Sequence, residues 1–305
     1  MNKNNRQKLS ESRKYSIKEG IFSSARTSLG DSYVAPFAIA IKASNSVVAL
    51  LTSVLGLLGP LSQVLGSRLI KKESRKKILV KTIFIEALMW IPFIAIAALF
   101  YFNIITNLLP LALLFFFSIY TIFQNIGYPA WFSWMGDMVE EKSRGMWFSK
   151  RNLIMGVASV IIAIFAALLL DYFKKQSLEL AGFSILFLLA LFSRLISLKI
   201  LKKQYEPKIK IKDQNYFSFK EFFLNAKNNN FGRFTIYRAM IALSSAVCAS
   251  LVAVYLIRDL QFSYTNYMLV IMGGTFISLF SMEIWGKFAD KYGNYKTIVI
   301  SSVVI

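Results

Sequence analysis

The feature that most constrains this chain is a dense basic turn, Gly66-Ser67-Arg68-Leu69-Ile70-Lys71-Lys72-Glu73-Ser74-Arg75-Lys76-Lys77, caught between two long apolar runs. The layout returns at Gly286-Lys287-Phe288-Ala289-Asp290-Lys291-Tyr292-Gly293-Asn294-Tyr295-Lys296, with Gly286 answering Gly66 and Lys296 answering Lys76 at one offset of 220 residues. The flanks keep the same offset: Ser44-Asn45-Ser46 falls opposite Tyr264-Thr265-Asn266, and Ile78-Leu79-Val80 opposite Ile298-Val299-Ile300. Apolar runs and charged turns repeating over so long a period are the mark of an internally duplicated membrane protein.

Composition agrees, because 56% of the 305 residues are hydrophobic, with 27 Phe and a mean hydropathy of +0.52, more apolar surface than a water-soluble fold can cover. An all-α membrane protein is expected. Spans are read at about 18–41, 46–69, 78–102, 108–134, 150–171, 181–201, 232–257 and 265–286, each long enough for the roughly 20 residues of a bilayer crossing. A further apolar run starts near Thr297 and reaches Ile305, too short to cross, which predicts that the native protein continues into a ninth helix and beyond.

A net charge of +20 and a pI near 9.9 raise nucleic acid as a partner, but that role needs a basic face on a water-soluble domain. Here the Lys and Arg residues fall in alternate loops. Of 36, only Lys42, Lys174, Lys175 and Arg258 belong to the loops of one side, and Arg26, Arg194 and Arg238 lie within spans. This imbalance places the amino terminus in the cytoplasm of a multi-pass cell-membrane protein. Cys248 is the lone cysteine and there is no histidine, so disulfides and thiolate metal sites are excluded, no cofactor is implied, and proton coupling falls to carboxylates.

Along the chain, residues 1–17 read as a polar, basic cytoplasmic tail with no cleaved signal peptide, 18–201 as a six-helix bundle, 202–231 as a cytoplasmic linker, and 232–305 as an incomplete second bundle. The linker mixes Tyr216, Phe217, Phe219, Phe222, Phe223 and Leu224 with charges, which fits either a helix on the membrane surface or a plain linker with buried aromatics. The first span carries Ser23, Ser24, Arg26, Thr27, Ser28, Asp31, Ser32 and Tyr33, and a helix so polar faces protein or a water-filled cavity rather than lipid.

Six spans, a basic linker and a repeat of the first spans resemble the major facilitator superfamily. The turns resemble its signature Gly-x-x-x-Asp-Arg/Lys-x-Gly-Arg/Lys-Arg/Lys. The second copy fits at Gly286, Asp290, Lys291, Gly293 and Lys296; the first keeps Gly66 but has Ile70 at the acid position and Glu73 at the second glycine. Gly136-Asp137, Glu140 to Gly145 and Arg151 form a further similar block between spans 4 and 5. The resemblance covers residues 18–305 and implies two pseudo-symmetric bundles, a monomer, a small-molecule substrate, and a fold with twelve spans when complete.

It also implies roles. Asp290 would hold the cytoplasmic face closed by docking near the start of span 5, between Trp147 and Asn152, with Arg144 or Arg151 adding a charged bond; a solvated turn residue is the alternative. Spans 1, 4 and 7 would line the substrate path. That makes Arg26 and Asp31 candidates for substrate or proton binding, Asp31 first, although each could instead pair with a neighbouring helix. Five residues of ideal helix set them about 140° apart, which argues against a same-face pair. Glu86 is the acid nearest mid-span, a functional position by default, whereas span 3 is peripheral in the family. Arg194, Arg238 and Glu283 lie toward cytoplasmic ends, where snorkelling or interhelical pairing explains them. Gln124, Asn125 and Tyr128 beside Pro129, and Tyr237, Arg238, Ser244, Ser245 and Ser250, would bind substrate or cement helices.

Two functions are weighed. The first is a secondary active transporter that rocks two bundles about a midplane site, with no Walker loop and so no evident ATPase of its own. Span 5 lacks the Gly-Pro signature that resembles proton antiporters. The second is an integral membrane enzyme acting on a lipid diphosphate through Mg²⁺ at Asp137 to Glu141, a site that needs more converging carboxylates than one run supplies.

Overall fold

The computed structural model describes residues 3–207 and 224–304; the side chains of Cys248, Ser250, Glu283 and Asp290, and linker residues 208–223 with most of their aromatics, lie outside the described set. The helices, in order, are α1 (Lys3–Leu29), α2 (Val34–Ala40), α3 (Asn45–Leu69), α4 (Arg75–Leu88), α5 (Trp90–Tyr101), α6 (Leu109–Met138), α7 (Arg144–Lys175), α8 (Glu179–Lys202), α9 (Asn230–Ala253), α10 (Tyr264–Tyr292) and α11 (Asn294–Val304). No strand occurs among the described residues. The fold is all-α, as a bilayer requires of a chain whose backbone bonds must be closed within each segment.

Six helical stretches among the described residues are long and apolar enough to cross a membrane: Asn45–Leu69, Arg75–Tyr101, Thr106–Met138, Arg144–Lys175, Glu179–Lys202 and Asn230–Asp259. The polar first helix and α10, also read as spans, are not among them. Helices overrun the apolar stretches by several residues, and α1 begins at Lys3, inside the segment read as a tail. Apolar counting registers only the hydrocarbon-facing part of a helix, while its backbone ladder continues into the interface.

Local chemistry sets the breaks. Pro92 lacks an N–H and crowds the carbonyl four residues earlier, and the third span accordingly breaks between Leu88 and Trp90 into α4 and α5. Ser44, Ser74, Asn229 and Ser263 accept a backbone N–H of the turn that follows each, capping α3, α4, α9 and α10, worth about 1 kcal/mol apiece. The caps of α3 and α10 are one residue out of the 220-residue register, since Ser263 rather than Tyr264 does the work of Ser44. Gly293 ends α10 at φ 85° and ψ 154°, a conformation open essentially to glycine alone.

Within the first bundle α1 packs against α7 and α8, α3 against α6, α4 against α6 and α8, and α5 against α8. Small residues let α1 and α7 approach: Ser28 Oγ bonds Ser159 Oγ at 2.6 Å, and Tyr33 OH donates to the Ala163 carbonyl at 2.6 Å. A core of Phe37, Trp90, Phe93, Tyr120, Phe183 and Phe187 fills the centre, with Trp90 stacked on Phe187 at 5.6 Å. Of the later helices, α9 lies on α3 and α10 on α7. Their buried side chains cluster at the end remote from the basic turns, from Ala253 to Ile257 and from Tyr264 to Met272. That end is called the sparse end below, and the other the basic end.

Candidate functional site

On α1 the residues Ser12, Ser16, Glu19, Ser23 and Arg26 recur at spacings of four, three, four and three, so they share one helix face. That face points into the bundle, where Ser12, Ser16, Glu19 and Arg26 are buried. Buried charge is tolerated only when partnered, and partners arrive from three other helices. Arg26 pairs with Asp31, and its Nε stands 3.4 Å from Glu86 Oε1 on α4, an ion pair without a hydrogen bond. Glu86 Oε2 accepts from Arg194 Nη2 on α8 at 2.6 Å. Arg194 Nη1 lies 3.8 Å from Glu19 Oε1, and Arg151 Nη2 on α7 donates to Glu19 Oε2 at 3.4 Å. Asp31, Arg26, Glu86, Arg194, Glu19 and Arg151 thus alternate in sign along the bundle axis, three cations against three carboxylates.

The same-face objection to Arg26 and Asp31 does not survive in the structure. The two pair directly, because α1 ends at Leu29 and the chain turns through Gly30 into a tighter single turn, Asp31–Tyr33, before α2 begins. The 140° separation assumed unbroken helix. Glycine is needed at the break, since a Cβ on Gly30 would lie 2.2 Å from the Trp90 ring. Tyr120 completes the arrangement from α6: its hydroxyl donates to Asp31 Oδ1 and accepts from Arg26 Nη1 at 2.5 Å. Gln124, one turn on, donates to Asp31 Oδ2 at 3.2 Å.

The other candidates separate into groups. Asn125 accepts from Gln63 Nε2 at 3.0 Å, joining α6 to α3. Arg238 is exposed on α9, away from the charged series. Arg144 donates to the Gly136 carbonyl at 2.8 Å, and Arg151 is buried on Glu19 with its guanidinium 4.7 Å above Trp131. Gly66 faces the Ile126 carbonyl so closely that a Cβ would stand 2.1 Å from that oxygen, whereas Gly286 borders open space. Asp290 sits in the last turns of α10 with its side chain outside the described set. Glu19 and Tyr120 escaped sequence reasoning. The four-three spacing of polar residues on α1 was the available signal for Glu19, and Tyr120, four residues before Gln124, was the signal on α6.

Two cavities lie near the charged series, and Asp31 lines one of them. The first, about 490 Å³, is lined by Arg26, Glu86, Arg194, Gln124, Tyr128 and Trp131, so it holds the partners of Asp31 but not Asp31 itself. The second, about 300 Å³, lies between α2, α3 and the later helices and is apolar apart from Asp31, Ser32, Thr52 and Tyr267. Among the described residues no group of three or more acids or cysteines is placed to hold a metal ion.

No curated protein and no solved structure matches the chain. The family profile described as Major Facilitator Superfamily matches residues 21–305, which takes in every helix named above except the first part of α1. With a match over nearly its full length, the chain belongs to the major facilitator superfamily, a family of membrane transporters.

Proposed function

We propose that this multi-pass transporter works by secondary active transport, moving a small solute by alternating access with Asp31 as its proton-coupling group. Membership of a transporter family removes the lipid-diphosphate enzyme as a reading. The observation that carries the proposal is the position of Asp31 at a helix break, lining the smaller cavity and bonded to Tyr120 and to Arg26 and Gln124, which line the larger one.

Arg26 has two carboxylates to choose from. While Asp31 is ionised it holds the guanidinium; once Asp31 takes a proton, that attraction is lost and Glu86, already 3.4 Å from Arg26 Nε, keeps the cation. A proton arriving at Asp31 thereby becomes a displacement of α1 at its break, next to the space a solute would fill. The sidedness of Lys and Arg supports a cytoplasmic position for the basic turns and the amino terminus of a cell-membrane protein. Residues 18–201 and those after 232 act as the two rocking bodies, and Asp290 closes the cytoplasmic face against the start of α7.

The test is solute-evoked proton movement in proteoliposomes loaded with a pH-sensitive dye, across a panel of small neutral, anionic and cationic solutes. Wild-type protein is expected to move protons with one class of solute, and Asp31→Asn to lose proton movement while retaining exchange of the same solute. Equal proton movement in both proteins sinks the coupling role.

A further inference from the structure

The signature turns belong to the basic end, yet the contacts that join the two sets of helices concentrate at the other. The start of α10 shows how. The first N–H groups of any helix lack partners within it, and here three are satisfied from two sources. Ser263 serves its own helix, its Oγ accepting from Asn266 N at 3.1 Å. The other two are served from across the junction: Asp171 at the end of α7 accepts from Tyr264 N at 2.8 Å through Oδ1 and from Thr265 N at 2.9 Å through Oδ2. A carboxylate spanning two N–H groups at the positive end of a 29-residue helix combines charge-assisted bonds with a favourable dipole.

Three further side chains, Tyr264, Lys174 and Arg258, make contacts at the same end. Tyr264, 2% exposed, donates its hydroxyl to Glu179 Oε1 at 2.5 Å and sets its ring edge-on to Phe183 at 5.5 Å. Lys174 Nζ stands 5.1 Å over that ring and 3.8 Å from Glu179. Beyond α9, Arg258 donates to the Ala43 carbonyl at 2.6 Å and to the Asn45 side chain.

We infer that Asp171 is a positioning residue of the transport cycle, a latch that holds the sparse end shut by capping α10 from α7. The inference rests on the alternating-access reading above. Opening that end separates α7 from α10, which strips Tyr264 N and Thr265 N of their acceptor and Asp171 of its donors at once. The capped arrangement therefore weights the population toward the state open at the basic end, and the weight is set by a residue that touches no solute.

Two reporters in a Cys248→Ser background test this. Thr52→Cys lines the smaller cavity beside Asp31, and Asn152→Cys lines the larger one toward the basic end. Each is labelled by a membrane-impermeant maleimide, from outside in right-side-out vesicles for Thr52→Cys and from the cytoplasmic face in inside-out vesicles for Asn152→Cys. Asp171→Asn is expected to raise the Thr52→Cys rate roughly tenfold and to lower the Asn152→Cys rate, since a latch moves population between two states. Tyr264→Phe, which removes only the bond to Glu179, shifts both rates the same way by less. Unchanged rates in both variants overturn the inference, and so does a rise at both reporters together, which means loosening rather than a change of face. Labelling needs no solute, so a failure of proton coupling at Asp31 leaves this result standing, and the reverse also holds.

Discussion

The two basic turns share a layout and little else. In the first, Arg75 is 0% exposed: its guanidinium bonds Asp137 Oδ2 at 2.5 Å, Ser133 Oγ at 3.1 Å and the Pro207 carbonyl at 2.8 Å, with Glu206 Oε1 3.5 Å from Nε. At the corresponding place in the second, Tyr295 is 80% exposed. Gly66 packs on the backbone of α6, and Gly286 faces open space. Ile70 replaces the acid that Asp290 supplies, and Glu73 stands where Gly293 turns the chain with positive φ. The first turn is a fastener inside the first set of helices, while the second keeps Gly286, Asp290 and Gly293, the residues that resemble the family signature.

The largest effect that separates them is at Arg75. Arg75→Ala leaves a void and takes the guanidinium away from Asp137 and the Pro207 carbonyl, while Glu206 keeps its 2.8 Å bond from the backbone N–H of residue 75; because Asp137 also reaches water, the expected loss is about 3 kcal/mol, the low end for breaking a buried pair. Tyr295→Ala removes a side chain that covers almost nothing and is expected to stay within about 0.5 kcal/mol of wild type. Thermal unfolding of the purified protein in detergent compares the two, and equal losses break the contrast.

Next comes the glycine pair. A methyl group on Gly66 must push α3 away from the Ile126 carbonyl, so Gly66→Ala is expected to cost about 1–3 kcal/mol by overpacking. Gly286→Ala meets open space and trades a helix-breaking residue for the best helix former, a gain of up to about 1 kcal/mol. Opposite signs in the melting shifts sharpen the distinction; a neutral Gly66→Ala shows that the two helices can part without penalty.

These contrasts also mark what the sequence could show. Spans were legible because apolar length is a property of the chain itself: α3, α8 and α9 begin within two residues of the expected positions. Arg75 was legible only as one basic residue among six in its turn, since its burial depends on Asp137 and Glu206, 62 and 131 residues away. The charged series inside the bundle was visible in its members but not in its pairing. Arg26, Asp31, Glu86 and Arg194 stood out as charges within apolar runs and Arg151 as part of the block between spans 4 and 5, but the Arg26–Asp31 pair needs the helix to break at Gly30, where the Trp90 ring leaves no room for a Cβ, a tertiary fact. Gln124 carried no sign of its bond to Asp31, because amide side chains are equally at home as helix cement.

The smallest effect lies at Glu73, which holds Lys81 with both carboxylate oxygens at 2.9 Å where the second turn has Gly293 and no such pair. The hydrogen bond from Lys81, helped by the positive charge of Lys77 and Lys81, lowers the Glu73 pKa below its ordinary 4.5. A carboxylate with a lowered folded-state pKa binds protons more readily when unfolded, so its contribution is fully present above 4.5 and fades as the pH falls through the lower folded value. Glu73→Gln should therefore melt slightly below wild type at pH 7, and the gap should close on acidification. The pair is solvent-facing and screened by salt, so the gap should also shrink as salt is raised toward 1 M, where the screening length is about 3 Å. A gap that persists at both low pH and high salt would assign the effect to packing of the Glu73 side chain, and the first turn would then owe its order to Arg75 and Gly66 alone.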